Sequence, residues 1–476
     1  MGDGMTAHAH SRDLSRETVM YSLAMVFSGL VQVAFLPFMS VFLSAAEAGE
    51  LGTLRIMAEA IAGIVVLGLP TALIRAWQHS TAHRAILVRS LVFPLVPTLA
   101  MVLLVFLLRG FLVSFLSLEH SGYLVHAVLL GFGIAYSQIA LSLPRAEGMA
   151  GSYLAMQLTR GLAALGALAL LLYMTDIEPV PSFLTARWGP SILLAVFAAL
   201  MMWRRTSGTS GDGGGATLTR EILGFSIPLV PATLSMIVLS SADMFMLRSI
   251  HPDLAQSGYY EWASRAGLTL MPMVMGFNMA WKRFIFRKKE TGGTLGELGR
   301  AGLLFMVMVN WSSLVLAMSA AWLVPLVGGP DYLPAAGVLP TLAGAGALYG
   351  LFLISQTGCM LTGQTRFIAW MTLFGALLNI GFNFRLIPIA GALGAAFATL
   401  CTNLFMSLSL FWLGRRVFPI SFPVVLLTAV VPVAYGPLGN LPPVWRTIAV
   451  IAGTLITAAV IGKLREAGTR LREVGE

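Results

Sequence analysis

Charge is what this sequence has least of. Only 11% of its 476 residues are Asp, Glu, Lys or Arg, against roughly 25% in a soluble domain, and 57% are hydrophobic. An ordinary water-soluble enzyme is excluded on that ground. Long hydrophilic stretches are lacking as well. The longest inside the chain runs from Arg204 to Arg220, too short for a nucleotide-binding domain or a separate catalytic core. Cysteine is nearly absent, and both copies, Cys359 and Cys401, stand in apolar surroundings, which argues against a disulfide framework. Catalytic and metal signatures are missing too: there is no phosphate-binding Gly-rich loop ending in Lys and Ser or Thr, no Cys-x-x-Cys, no His-Glu-x-x-His and no Gly-x-Ser-x-Gly. His8 with His10, and His79 with His83, read as solvated pairs rather than metal sites. Neither a cofactor nor a metal is expected.

What is present is a succession of apolar runs, each near the 20 residues or so that one helical membrane span requires. They fall at about 18–43, 51–74, 86–108, 123–143, 152–174, 189–203, 221–247, 259–281, 301–326, 334–358, 367–388, 391–413, 419–437 and 445–462. The expected fold is an all-α membrane protein of about fourteen spans. The first run lacks a short apolar core followed by a small-residue cleavage site, so it reads as a retained span. With the N-terminus inside, most of the 30 basic residues fall in cytoplasmic segments, as the positive-inside rule requires. The net charge of +9 is then a matter of topology and anionic lipid, and nucleic acid is not an expected partner. Trp281 to Lys289, with aromatic and cationic residues interleaved, reads as an interfacial anchor.

A Gly- and Ser-rich run from Thr206 to Gly215 has the composition of a flexible tether. It divides the chain into a six-helix bundle at 1–203, a linker at 204–220, a second six-helix bundle at 221–416, and two further spans with a basic tail at 417–476. The halves echo one another: Pro37, a turn ending at Gly49 and Arg55 in the first; Pro228 and Pro231, a turn ending at Gly258 and Arg265 in the second. Because six is even, such repeats run parallel, related by an axis along the membrane normal.

Ionisable groups inside spans are expensive, so they face partners or watery cavities. Arg55 and Glu59 are four apart and share a helix face. Glu261 and Arg265 repeat that spacing, and Tyr153, Gln157 and Arg160 make a third polar stripe. Two readings stand side by side. Each pair is a self-neutralising bridge between packed helices, or the stripes line a central cavity whose arginines meet an anion. Arg suits the second task because its planar fork binds phosphate bidentately. Arg109, Arg187, Arg248 and Arg446 fall at expected span ends and read as anchors. Asp243 reads as a partner for an arginine or as a site for a coupling cation, and intramembrane Asn278, Asn310, Asn379, Asn383 and Asn403 as packing amides.

Asn379, Asn383, Ile387, Pro388, Gly391, Gly394, Ala395, Ala396, Ala398 and Thr399 together resemble a signature of the polysaccharide-transporter flippases. These belong to the superfamily of multidrug exporters and oligosaccharidyl-lipid and polysaccharide exporters. Ser241 to Leu247 with Asp243, Ser257 to Tyr259, Leu43 to Gly49 and Gly68 to Arg75 are similar to further segments of that family. Fourteen spans, with Arg55 and Arg265 on the second and eighth, also resemble the lipid II flippases. The resemblance implies a non-enzymatic flippase of the bacterial inner membrane, with both termini cytoplasmic. It would serve O-antigen, exopolysaccharide or other envelope polysaccharide synthesis. Its substrate would be a polyprenyl-diphosphate-linked oligosaccharide. Arg55, Arg160 and Arg265 would contact phosphate, while Glu59, Glu261 and Asp243 would support the cavity or couple an ion, proton or sodium. Membrane lipids and polysaccharide assembly proteins would be the partners. A multidrug or cation antiporter of the same superfamily, and a membrane glycan polymerase or ligase, are the rival readings.

Overall fold

A computed structural model of the chain describes residues 2–66, 68–206, 215–227, 230–290, 295–417, 430–436, 442–455 and 457. Among these the regular structure is all helical, as the absence of backbone partners in lipid demands of an open chain. The helices run α1 (Gly2–Phe42), α2 (Ala45–Val66), α3 (Leu69–His79), α4 (His83–Val92), α5 (Leu95–Leu107), α6 (Arg109–Phe115), α7 (Tyr123–Ala146), α8 (Ala150–Met174) and α9 (Pro179–Arg205). After the linker come α10 (Gly215–Ser226), α11 (Val230–Ile250), α12 (Ala255–Gly267), α13 (Met271–Glu290), α14 (Leu295–Leu323), α15 (Ala335–Ser355), α16 (Thr357–Leu361) and α17 (Thr365–Gly414). A last described helix, α18, covers Pro443–Leu455. Nine helical stretches among the described residues are long and apolar enough to cross a membrane. The protein is an all-α, multi-span membrane protein.

Two boundaries differ from expectation for local reasons. The sixth span begins at Pro179, not near 189, because a proline at the first turn of a helix gives up no hydrogen bond; the connection before it shrinks to Thr175–Glu178. The eleventh and twelfth spans are the two arms of α17, broken at Gly391, whose φ of 52° is open to glycine. The arms fold back on one another, with Gly375 lying against Thr402 and Met406. The side chain of Gln256 closes the break, its Oε1 accepting from the Ala392 N–H at 3.1 Å.

Packing groups the chain into two compact units, one of Met1–Phe35 with Glu47–Ser249, the other of Leu36–Ala46 with Ile250–Glu476. The grouping does not follow chain order. Helix α11 belongs with the first unit, while the end of α1, from Leu36 just before Pro37, belongs with the second. In the first unit α9 packs along α7 and α8, and Gly131 of α7 brings that helix against the Ala58 carbonyl of α2. In the second, α15 packs against α14 and α17. There Tyr332 OH donates to the carbonyl of Leu43 at 3.0 Å, and Trp262 Nε1 to Ser40 Oγ at 3.0 Å. The Gly258 Cα rests so close to the Ala45 carbonyl that no β-carbon fits.

Part of the expected linker belongs to the helices that flank it. Thr206 ends α9 with its hydroxyl donating to the Met202 carbonyl at 2.9 Å, and Gly215–Arg220 form the first turns of α10, which packs on α3. Residues 207–214 lie outside the described residues, as do most of the expected thirteenth span and the basic tail beyond 457.

Candidate functional site

The first unit contains a cavity of about 140 Å³ walled by α1, α2, α7, α8 and α9. Three arginines reach it from three helices. Arg55 of α2 lies 2.6 Å from Glu59 Oε1, one turn on, and the two side chains are 17% and 40% exposed. Arg160 of α8 donates from its terminal nitrogen to Ser137 Oγ of α7 at 3.2 Å. Arg187 of α9 donates to Gln32 Oε1 of α1 at 2.9 Å, and its guanidinium stacks 4.4 Å above the Phe35 ring. Gln157, one turn before Arg160, donates to Tyr153 OH at 3.3 Å. Gly161 lets α8 approach Phe27 and Val31 of α1 closely enough to close the wall.

The electrostatic balance of this cavity is basic: among the described residues lining it, three permanent cations face one carboxylate, that of Glu59. A guanidinium carries five donors in a planar fork, so three of them on one wall make it rich in N–H groups. An anion with several acceptor oxygens is the natural complement. An organic cation would meet repulsion from every arginine on the wall.

Of the residues singled out in the sequence, Arg55, Glu59 and Arg160 line this one cavity. Arg265 and Glu261 are in the second unit, paired within α12 at 2.6 Å and buried to 2% and 1% exposure; the cavity does not include them. Asp243 is buried in α11 of the first unit and is likewise absent from its wall. Among the amides, Asn383 donates to Asn379 within one arm of α17, Asn403 to the Ala345 carbonyl of α15, and Asn310 to the Met306 carbonyl of its own helix. The described residues hold no cluster of three potential metal ligands.

Two arginines read as anchors are placed otherwise. Arg187 is inside α9, eight residues past its start; the signal that would have found it is Pro179 as a first-turn proline. Arg248 is buried, donating to the carbonyls of Leu116 at 3.0 Å and Ser117 at 2.8 Å, with Glu50 Oε2 at 4.0 Å. Glu50 in turn accepts from the Glu119 backbone N–H at 2.8 Å. The guanidinium thus covers carbonyls left free at the end of α6, where Ser117 takes a positive φ. Arg109, by contrast, is exposed as expected of an anchor.

The chain matches no protein-family model and no curated protein sequence. Among solved structures it is similar to the lipid II flippase MurJ in an inward closed conformation, at a TM-score of 0.69 and 14% identity over 96% of this chain and 100% of that one. It is also similar to a multidrug resistance MATE family transporter of the MOP superfamily in its inward-facing conformation. There the TM-score is 0.63 and the identity 15%, over 82% of this chain and 97% of the other. A MATE structure in the straight conformation follows, at 0.58 and 16% over 85% and 95%. At such identities the likeness is one of architecture, and the chain has the fold that a lipid II flippase and multidrug transporters share.

Proposed function

We propose that the protein is a flippase that carries a polyprenyl-diphosphate-linked oligosaccharide across the bacterial cytoplasmic membrane, with both termini on the cytoplasmic side. The observation that carries this reading is the basic cavity. Arg55, Arg160 and Arg187 against Glu59 leave an excess of two positive charges, which matches the two negative charges of a diphosphate diester. The headgroup enters the polar cavity and the polyprenyl tail stays in lipid, in a cycle of alternating access. Arg55 and Arg160 contact phosphate, and Glu59 holds Arg55 in place or exchanges a coupling ion, proton or sodium. Arg265 joins the phosphate contacts only if its tie to Glu261 opens during the cycle. The fold of the MurJ lipid II flippase supports the class, and membrane lipids and polysaccharide assembly proteins are the expected partners.

The fold of the MATE structures favours a second reading, a multidrug or cation antiporter, but the charge of the cavity wall speaks against a cationic cargo. A glycan polymerase or ligase needs an extended outer loop for its chemistry, and the connection at Thr175–Glu178 offers none. The deciding experiment is depletion of the protein followed by mass analysis of lipid-linked saccharides. A flippase predicts their accumulation on the inner leaflet. Unchanged lipid pools together with altered sensitivity to organic cations would favour the antiporter.

A further inference from the structure

A second opening lies in the other unit, in the groove between α14 and α18. The two helices cross tightly at one end, where Trp311 Nε1 donates to Thr454 Oγ1 at 3.0 Å and Gly453 lets Leu314 approach. Toward the start of α18 they part, leaving about 400 Å³. Val315, Met318 and Val450 make the deep apolar part of the groove, and Ser319, Arg446 and Thr447 gather near its mouth. Trp322 and Trp445 stand 60% and 58% exposed there.

Three observations converge on the kind of molecule that fits. The mouth lies near the end of the membrane span formed by Leu298–Gly328: Trp322 is six residues from that end, about 9 Å at the helical rise. Exposed tryptophans at that level mark the headgroup zone of a bilayer. Next, the Nε of Arg446 is buried and has no hydrogen-bond partner among the described residues. A guanidinium N–H left dry and unpaired is costly, and a turn of this side chain on the wall of the groove would let it meet an acceptor brought in from outside. Finally, the described residues of the wall include no Asp or Glu, so none of them receives the ammonium of a zwitterionic headgroup.

We propose that this groove binds one anionic glycerophospholipid of the surrounding bilayer. Its phosphodiester oxygen accepts from Arg446; Ser319 and Thr447 stand beside it as polar neighbours whose hydroxyls donate to the Leu316 and Pro443 carbonyls of their own helices. The first carbons of one acyl chain run down between Met318 and Val450. The site is in the second unit, shares no residue with the basic cavity and does not depend on the transport reading.

The test is native mass spectrometry of the full-length protein, delipidated and returned to phosphatidylglycerol, phosphatidylethanolamine, polyprenyl phosphate or inorganic phosphate. The expected result is one phosphatidylglycerol retained after phosphatidylethanolamine has dissociated. Arg446→Gln should weaken that retention about tenfold or more, as loss of a charge-assisted contact does, and Arg446→Lys should recover part of it. Arg109→Gln, which removes an exposed cation elsewhere, should leave retention unchanged. If Arg446→Gln disturbs folding, Val450→Trp fills the groove without touching the charge and should expel the same lipid. Equal retention of the two phospholipids, wild-type retention in Arg446→Gln, tighter holding of polyprenyl phosphate, or displacement by inorganic phosphate alone would each overturn the proposal.

Discussion

At the scale of single residues, the arginines divide by what already holds them. Arg160 donates to a hydroxyl and Arg187 to an amide oxygen, and both line the basic cavity. Replacing either with Gln removes charge while keeping a polar side chain of modest length. Export should fall about tenfold or more with membrane abundance unchanged, read from stalled lipid-linked saccharide against protein level. Arg265 is paired with the carboxylate of Glu261, and both are buried. Arg265→Gln alone should lower abundance sharply, because breaking a buried pair costs about 3–5 kcal/mol. The double variant Glu261→Gln with Arg265→Gln should restore it. If the double variant is abundant but does not export, Arg265 touches substrate during the cycle; full export leaves it a structural bridge. The pairs at 55/59 and 261/265 were legible because a four-residue spacing puts two side chains on one face whatever surrounds them. Which pair borders a cavity was not, since that depends on neighbours distant in sequence, such as Gln32 beside Arg187.

At the scale of helices, α12 offers a controlled comparison between two glycines nine residues apart. Gly258 abuts the Ala45 carbonyl, whereas a β-carbon at Gly267 would meet nothing. Gly258→Ala should therefore destabilise by about 1–3 kcal/mol or more, as overpacking against backbone does, and Gly267→Ala should stabilise by roughly 0.5–1 kcal/mol. Thermal unfolding in detergent measures both. Equal melting temperatures for the two variants would contradict the close approach. The turn ending at Gly258 was visible as punctuation between apolar runs; the reason for glycine there was not, because the crowding atom belongs to residue 45. Likewise the apolar run before Pro388 and the one after Gly391 were separable in sequence, although the missing loop between them is a matter of backbone conformation. The start of the sixth span was misplaced because Arg187 looks like a terminus, while Pro179, the true first turn, looks like part of a loop.

At the scale of the molecule, each half of the chain lends a segment to the unit built mainly from the other: Leu36–Ala46 in one direction, the stretch up to Ser249 in the other. Cutting between residues 210 and 211 falls among residues with linker composition, so the two fragments should export when made together. Made singly, each should be degraded, since its own unit is incomplete. Stable accumulation of either fragment alone would argue that the units fold independently of the exchange. Reporter fusions give a separate check on topology. Fusions after Gly208 and Glu290 should report cytoplasm, and fusions near Glu47, Asp253 and Asp331 the opposite side. The all-helical class was readable from apolar run lengths alone, because lipid permits little else. The grouping of helices was not, because every apolar run looks equally content beside any other.

The break at Gly391 also decides where this protein can be handled. A hairpin that reverses on one glycine has no slack: an epitope, a cysteine label or a protease site spliced in there must push Gln256 off the Ala392 N–H and slide Gly375 away from Met406. The exposed end of the turn between α6 and α7, residues 120–122, is the place for such a tag, provided Leu116 and Ser117 are left to Arg248 and Glu119 to Glu50.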